Sequence, residues 1–336
     1  MPIPDDHPRD ACGVVGVYSE GEEAARIAFF GLYALQHRGQ ESAGIATGDG
    51  ERIRHHVGMG LVAQTFQEED LERLTGHISV GHTRYSTTGS SRLLNAQPIL
   101  SKGPAVEIAL AHNGNIVNAH ELREDLERDW GVAFKTGADS EVVARLISHA
   151  PASTWEDRIA YAMRRLQGAY CLTIMTKDAV FGVRDPLGVR PLCLGKLGNG
   201  WVIASETCAL DHIGAKYVRD IRPGEAVMID NQGFRTIYQR EPEGNHAACV
   251  FEHIYIARPD SVVDGRLVYT SRMEMGAQLA REHPVEADMV IGVPDSATAA
   301  AVGYSQESGI PYGEGLVKNR YVGRTFILPD QRQRDL

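Results

Sequence analysis

Short apolar runs with the length and composition of β-strands recur through the first 230 residues and restrict this part of the chain to sheet-based folds. Helical patterns lie between these runs, at 22–35, 119–128, 140–149 and 155–166. The predicted strands span 13–18, 42–46, 78–82, 106–111, 170–175, 179–183, 201–204 and 226–229. Many strands with helices grouped around them predict stacked sheets with helical layers outside them.

A polar stretch at 239–248 (Q-R-E-P-E-G-N-H-A-A) interrupts this pattern and indicates a domain boundary. Beyond it, a predicted helix at 271–281, a strand at 287–293 and an alanine-rich helix at 297–308 follow a βαβ rhythm, which is typical of a parallel sheet. This boundary predicts one domain at 12–240 and an incomplete second domain at 250–336. For residues 1–11 we expect a removable propeptide, for the reason given below with Cys12.

Charge and cysteine content exclude several classes of protein. The chain has 34 basic and 44 acidic residues, and a net charge of −10 argues against a general nucleic-acid or anionic-membrane binder. The last twenty residues form an exception, with five basic and two acidic side chains. Five cysteines without a C-x-x-C pair indicate a reducing compartment. No targeting segment and no run of eighteen apolar residues is present, so we expect a soluble cytoplasmic protein.

Cys12 stands in A-C-G-V-V-G-V-Y, at the head of the first predicted strand. Taken alone, it is either a small core residue or a nucleophile. The second interpretation requires removal of residues 1–11, after which the α-amine of Cys12, with a pKa of ~7.7–8.0, could act as a base toward its own thiol. The acidic, proline-rich leader fits a propeptide and equally fits a disordered tail.

Four further motifs follow in a fixed order. They are G-L-Y-A-L-Q-H-R-G-Q-E-S-A-G at 31–44, G-H-T-R-Y-S-T-T-G at 81–89, A-H-N-G-N-I-V-N at 111–118 and T-G-A-D-S-E-V at 136–142. Together with Cys12 they resemble the glutaminase domain of N-terminal-nucleophile (type 2) glutamine amidotransferases. The resemblance implies an α+β fold in which a four-layer αββα glutaminase domain comes first.

The same resemblance implies a role for each matching residue. Cys12 would attack the carboxamide of glutamine, and Asn113 with Gly114 would form the oxyanion hole. Arg84 would bind the α-carboxylate of glutamine, and Asp139 its α-ammonium group. The alternatives are a hairpin turn for Asn-Gly, a solvated strand-end arginine, and a helix N-cap for Asp139. We interpret three nearby histidines as structural hydrogen-bonding residues: His37, His82 and His112.

Three motifs in the second half concern the acceptor of the ammonia. They are C-V-F-E-H-I-Y-I-A-R-P-D-S at 249–261, M-V-I-G-V-P-D-S-A at 289–297 and G-L-V-K-N-R-Y-V-G-R-T-F-I at 315–327. They resemble the amidophosphoribosyltransferase family, which implies the start of an α/β type I phosphoribosyltransferase domain. The implied reaction gives 5-phosphoribosylamine from glutamine and phosphoribosylpyrophosphate, the first step of purine synthesis. The resemblance further implies a homo-oligomer and feedback inhibition by purine nucleotides.

On the phosphoribosylpyrophosphate side, the turn at 293–296 ends a predicted strand and opens a helix, a geometry that receives anions. The resemblance makes it the pyrophosphate loop, with Asp295 and with Ser296 helping to hold Mg²⁺. Lys318 and Tyr321 would lie in a flexible loop that closes over the substrate. Two residues between the domains would couple the two sites: Tyr255 and Arg258.

Cys249 matches the first of four cysteine ligands to a 4Fe–4S cluster in the iron–sulfur branch of the family. The other three ligands and the paired aspartates of the phosphoribosyl-binding signature are absent from the 336 residues. We therefore expect a chain truncated at its C-terminus, with glutaminase chemistry alone and no assembled cluster. The alternatives are another type 2 amidotransferase, such as a glucosamine-phosphate or asparagine synthetase, and a non-catalytic regulatory fragment.

Overall fold

Two antiparallel sheets form the centre of the first domain in the computed structural model, which describes residues 12–21, 23–85, 92–241 and 246–319. One sheet has the strand order β11-β9-β10-β1-β4-β2-β3, and the other β13-β12-β8-β7-β6-β5. A small hairpin, β14–β15, follows them. In chain order the strands are β1 (Gly13–Tyr18), β2 (Ser42–Gly48), β3 (Ile53–Met59), β4 (Ile78–Arg84), β5 (Ile99–Lys102), β6 (Glu107–Ile116), β7 (Gly168–Met175), β8 (Val180–Arg184), β9 (Cys193–Leu197), β10 (Gly200–Ala204), β11 (Lys216–Asp220), β12 (Glu225–Asp230), β13 (Gly233–Gln239), β14 (Val262–Val263) and β15 (Arg266–Leu267).

Helices cover the outer face of each sheet. α1, α2 and α7 pack on the first sheet, and α5 and α6 pack on the second, with α4 beside α5. This is the four-layer αββα arrangement that the resemblance to type 2 glutamine amidotransferases implies. The helices of the described ranges are α1 (Ala24–Ala34), α2 (Val62–Thr65), α3 (Glu68–Arg73), α4 (Ala119–Trp130), α5 (Asp139–His149), α6 (Trp155–Arg165), α7 (Thr207–His212), α8 (Val268–Glu282) and α9 (Thr298–Ser308).

Strand β1 is buried on both faces because it lies inside the sandwich. Val14 points into the core between the sheets, whereas Val15 and Val17 join the core beneath α1. Side chains of a strand alternate between its faces, so an uninterrupted apolar run is what such a strand requires. The predicted strand 13–18 is confirmed residue for residue.

The segment after the sandwich is only partly regular. Helices α8 and α9 pack against each other, as the helical patterns predict. The predicted strand at 287–293 is wrong in extent, since this stretch makes a single parallel bridge, between Val290 and Tyr312. A strand needs a partner strand that forms hydrogen bonds along its length. Among the described residues, Val290 makes only two backbone hydrogen bonds: its N–H donates to the Pro311 carbonyl at 2.8 Å, and its carbonyl accepts from the Gly313 N–H at 2.9 Å. In the described part of the chain, no helix is long and apolar enough to cross a membrane.

Candidate active site

Cys12 lies directly before β1, where the chain enters the sandwich, and is 6% exposed. Its Sγ is 3.4 Å from both the backbone nitrogen and the carbonyl oxygen of Tyr85. Arg38 Nε donates a hydrogen bond to the Cys12 carbonyl at 3.1 Å. A Cβ at Gly13 would come within 2.7 Å of Thr83 Oγ1 and 2.9 Å of Leu35 Cβ, so a larger residue here would force these neighbours to move. The thiol is therefore held at the end of β4 by backbone geometry.

Asn113 and Gly114 lie within β6, on the sheet that faces β1 and β4. Asn113 is fully buried, and neither polar atom of its amide has a hydrogen-bond partner among the described residues. Gly114 has φ +149°, and a Cβ there would lie 2.1 Å from the carbonyl oxygen of Ala169. The pair thus stands in mid-strand rather than in the hairpin turn considered as its alternative. A buried unpaired amide costs ~1–3 kcal/mol, which suits a group that binds something else.

The end of β4 makes contacts on one side with β6, the strand of Asn113, and on the other side with Cys12. His82 Nε2 is 3.0 Å from the carbonyl oxygen of His112, the residue before Asn113. Burial lowers the pKa of His82 to about 3, so this ring is neutral and its Nε2–H donates the bond. Three residues further along the chain, the Tyr85 backbone meets the Cys12 thiol. Cys12 and Asn113 are therefore tied to the same strand end.

The other two predicted histidines also make local structural contacts. His37 Nδ1 lies 3.2 Å from the carbonyl oxygen of Ala34, and its Nε2 lies 2.8 Å from Glu206. His112 Nδ1 lies 3.4 Å from Ser140 Oγ and 3.8 Å from an Asp139 oxygen. These contacts agree with the interpretation of the histidines as hydrogen-bonding residues of the framework.

Arg84 and Asp139 are both buried, at 3% and 6% exposure. Arg84 ends β4 and donates to the Glu41 carboxylate, so the alternative of a solvated arginine is wrong. Asp139 is the first residue of α5 and not its N-cap, which is Ala138. Its two oxygens accept from the backbone nitrogens of Ser140 at 2.8 Å and Ile116 at 3.1 Å. Binding of the α-groups of glutamine by Arg84 and Asp139 stays a prediction.

A buried cluster of charged residues lies behind Cys12, and the sequence motifs did not predict it. Arg38, Glu206 and Glu252 are each at most 1% exposed, and Arg38 pairs with both carboxylates. Burial opposes ionisation of Glu206, but its interactions with His37 and Arg38 hold its pKa well below the ordinary value. The three residues stand up to 214 positions apart, and a pairing over such a separation has no local signature. The H-R-G-Q-E motif contains Arg38 but does not reveal its partners.

The structure brings two residues of the expected phosphoribosylpyrophosphate side together. Lys318 Nζ lies 2.6 Å from Asp295 Oδ2, in a pair that is largely exposed. Ser296 is half-buried in the turn before α9, which begins at Thr298. Tyr321 lies outside the described residues.

Tyr255 and Arg258 belong to the segment that leaves the sandwich. Tyr255 is half-buried in a single π-helical turn, Glu252–Ile256. Arg258 touches the first domain with its backbone, whose N–H donates to Glu206 Oε2 at 2.9 Å, while its guanidinium pairs with Asp260 at 2.6 Å. A coupling role for Arg258 would therefore rest on its main chain.

The described residues do not provide the donors of an iron–sulfur cluster. Cys249 Sγ is 3.6 Å from an Arg190 nitrogen, and no group of three metal-binding side chains occurs in the described ranges. A cluster needs about four thiolates, but three other cysteines of the sandwich are buried, which raises their pKa and keeps them as thiols: Cys171, Cys193 and Cys208. For Mg²⁺ the donors fit better, since Asp295 and Ser296 offer hard oxygen atoms on an exposed turn.

A cysteine opening an αββα sandwich, with a buried amide on the facing sheet that has no partner among the described residues, is the arrangement of a glutamine amidotransferase of the N-terminal-nucleophile class. Residues 82–212 match the glutamine amidotransferase domain family. The whole chain belongs to the amidophosphoribosyltransferase family, as its motifs predict. The amidophosphoribosyltransferase of Synechococcus elongatus is 53% identical over 98% of this chain and 68% of its own length. That of Mycobacterium tuberculosis is 51% identical over 98% of this chain and 63% of its own length.

Solved structures agree with this assignment. The glutamine phosphoribosylpyrophosphate amidotransferase of B. subtilis, complexed with ADP and GMP, superposes with a TM-score of 0.85 at 45% identity, over 96% of this chain and 70% of that one. A structure of the allosteric regulatory enzyme of purine biosynthesis superposes with a TM-score of 0.87 at 45% identity, over 96% of this chain and 69% of that one. The chain thus spans about two thirds of the length of the curated relatives and solved structures named here. The two superpositions confirm the predicted fold class.

Proposed function

We propose that Cys12 hydrolyses glutamine and that the longer protein transfers the ammonia to phosphoribosylpyrophosphate, giving 5-phosphoribosylamine at the first step of purine synthesis. The observation that carries the glutaminase step is the buried amide of Asn113 beside Gly114, which has no hydrogen-bond partner among the residues that the structure describes. A hydrogen-bond donor kept free of protein partners is available to a developing oxyanion, and one such donor is typically worth ~10²–10³ in rate.

The chemistry then follows from the atoms present. Cys12 Sγ forms a bond to the carboxamide carbon of glutamine, and the carbonyl oxygen gains the negative charge that Asn113 and the Gly114 N–H would stabilise. Collapse of this intermediate expels the nitrogen as ammonia, after it gains a proton, and leaves a thioester. Water hydrolyses the thioester to glutamate and restores the thiol.

The base in this proposal is the α-amine of Cys12, exposed once residues 1–11 are removed. Its intrinsic pKa of ~7.7–8.0 suits proton exchange near neutral pH. The leader itself lies outside the described residues. Mass spectrometry of the N-terminus in an active preparation tests this step: a first residue of Cys12 supports it, and persistence of Met1 contradicts it.

The second site would use the exposed turn before α9. Asp295 and Ser296 would hold Mg²⁺, which when bound neutralises phosphate charge, and Lys318 with Tyr321 would close over the substrate. The Lys318–Asp295 pair would then exchange Asp295 for a phosphate group as the partner of Lys318. Tyr255 and Arg258 would couple the two sites. We further propose a cytoplasmic homo-oligomer with purine nucleotide feedback, and Cys249 as one ligand of a 4Fe–4S cluster in the longer protein.

Ammonia release tests the proposal directly. The 336-residue chain should release ammonia from glutamine, and Cys12→Ala should abolish the release. Cys193→Ala, a buried cysteine of β9, is the matched control and should remain active. Because the paired-aspartate signature is absent from these residues, we expect no phosphoribosylamine from this chain. Activity in Cys12→Ala would overturn the first claim, and phosphoribosylamine formation the second.

A further inference from the structure

The charged residues behind Cys12 are buried from solvent and paired with one another. Arg38 Nη1 and Nη2 donate to the two oxygens of Glu252 at 3.0 and 2.7 Å, and Nη1 donates to Glu206 Oε1 at 2.5 Å. His37 Nε2 lies 2.8 Å from the same Glu206 oxygen, and Arg190 Nη1 lies 3.3 Å from Glu252. Fixed in this way by two carboxylates, the planar guanidinium of Arg38 has one orientation.

The remaining edge of that guanidinium faces the nucleophile. Arg38 Nε donates to the backbone carbonyl of Cys12 at 3.1 Å. A rotation of the guanidinium plane would move this donor away from the carbonyl, because Nε and the two Nη atoms share one rigid fork. The orientation of Cys12 thus depends on the carboxylates that hold Arg38.

One of these carboxylates comes from outside the sandwich. Glu252 lies in the π-helical turn of the segment that leads to the second domain, and π-helical turns frequently occur at functional sites. Backbone bonds dock this segment on the first domain, from Cys249 N to the Val189 carbonyl at 3.1 Å and from Ala247 N to the Leu187 carbonyl at 2.9 Å. The segment after the sandwich therefore provides one of the two carboxylates that hold Arg38 against the Cys12 carbonyl.

The second carboxylate is held by the same segment. Glu206 Oε2 accepts from the Arg258 backbone nitrogen at 2.9 Å and from Ser261 Oγ at 2.7 Å. Any displacement of residues 252–261 would consequently alter both partners of Arg38 at once.

We propose that Glu252 is a positioning residue for the glutaminase reaction: through Arg38 it holds Cys12 in the orientation for attack, and the segment around it thereby sets the reactivity of the nucleophile. This rests on the proposed function of Cys12. Glu252 contacts neither Arg84 nor Asp139 in the described hydrogen-bond network, so its loss should change turnover and spare glutamine binding.

The test compares two substitutions of the same type in the 336-residue chain. Glu252→Gln keeps the shape and removes the charge, and its control is Glu225→Gln, another fully buried glutamate paired with an arginine, Arg219, at 2.7 Å. We expect Glu252→Gln to lower kcat by about 10- to 100-fold, as small misplacements of reacting groups do, with little change of KM for glutamine. Glu225→Gln should retain the kcat of the unmodified chain. If Glu252→Gln does not fold, Glu206→Gln removes the other partner of Arg38 and should show the same pattern.

A double-mutant cycle with Arg38→Lys distinguishes positioning through Arg38 from a general effect on the fold. If Glu252 acts through Arg38, Glu252→Gln should have little further effect on kcat in the Arg38→Lys background. Additive losses, or a kcat for Glu252→Gln equal to that of Glu225→Gln, would overturn the inference while the unmodified chain remains active. An inactive unmodified chain would instead count against the proposed function.

Discussion

Two neighbouring residues, Asn113 and Gly114, have features that weaken the fold and that the proposed oxyanion hole would explain. Asn113 is fully buried with both amide atoms unpartnered in the described structure, and Gly114 holds a backbone conformation and a contact with Ala169 that leave no space for a Cβ. Such groups weaken the folded state locally. We expect this free energy to be recovered when the Asn113 amide and the Gly114 N–H bind the oxyanion of the proposed reaction.

Asn113→Ala separates these two effects. The variant should lose about 10²–10³ in glutaminase kcat, because one oxyanion donor is gone. It should unfold at the same or a higher urea concentration than the unmodified chain, because an unpaired buried amide is removed. Kinetics and equilibrium urea unfolding of the same preparation provide the check. Unchanged kcat, or a clear loss of stability, would show that the amide serves the fold.

His82 should make the stability of the protein depend on pH. Its pKa is lowered by burial to about 3, against about 6.5 in an unfolded chain. Between these values the unfolded state binds more protons, so the stability contributed by neutral His82 is complete above pH ~6.5 and is lost as the pH falls toward ~3, at up to about 1.4 kcal/mol per pH unit. His82→Gln, which keeps a donor for the His112 carbonyl, should flatten this part of the profile in urea unfolding series. Parallel profiles for the two proteins would rule this contribution out.

At the scale of elements, helix α5 links the site to the outer layer. Its first residue is Asp139, whose carboxylate accepts from the Ile116 nitrogen in β6, and its last turn is held by Arg158 of α6. Arg158 is 4% exposed and donates to the carbonyls of Ile147 at 3.0 Å, Ala150 at 2.9 Å and Ala152 at 2.6 Å. A cation at a helix C-terminus satisfies the unpaired carbonyls there.

Arg158→Met should therefore destabilise the protein by roughly 2–4 kcal/mol, because several buried carbonyls lose a charged donor and only the apolar stem of the side chain is replaced. Arg164→Met on the same helix is the control, since Arg164 is exposed, and it should cost less than about 0.5 kcal/mol. Chemical denaturation measures both. Equal stabilities of the two variants would contradict the role given to Arg158.

The elements that the sequence predicted are those with a strong apolar pattern. The strand at 13–18 and the helix at 155–166 agree with β1 and, within one residue, with α6 because burial imposes their periodicity. β3 was missed because its sequence, I-R-H-H-V-G-M, is polar and half-buried at a sheet edge. The strand β6 extends through Asn113-Gly114, a dipeptide that favours turns, because tertiary pairing with β7 outweighs local preference.

At the scale of the whole molecule, the predicted site residues come from separate parts of the chain, and the order of the motifs predicts them without predicting their contacts. Cys12 and Asn113 were predicted from their motifs. The Arg38–Glu252 pair could not be, because it joins residues 214 positions apart through burial and charge that no local pattern records. Residues of the sandwich and of the segment after it thus both form the surroundings of Cys12.

Of the five cysteines, we expect Cys12 alone to react with glutamine. Incubation with a glutamine analogue that carries an electrophilic ketone, followed by peptide mapping by mass spectrometry, identifies the cysteine that reacts. Cys171, Cys193 and Cys208 are buried with raised pKa values, whereas Cys249 is half-exposed beside Arg190 and provides the internal control. We expect a single adduct, on the peptide containing Cys12, and excess glutamine should suppress it. Labelling of Cys249 in its place, or an adduct on Cys12 that glutamine does not suppress, would contradict it.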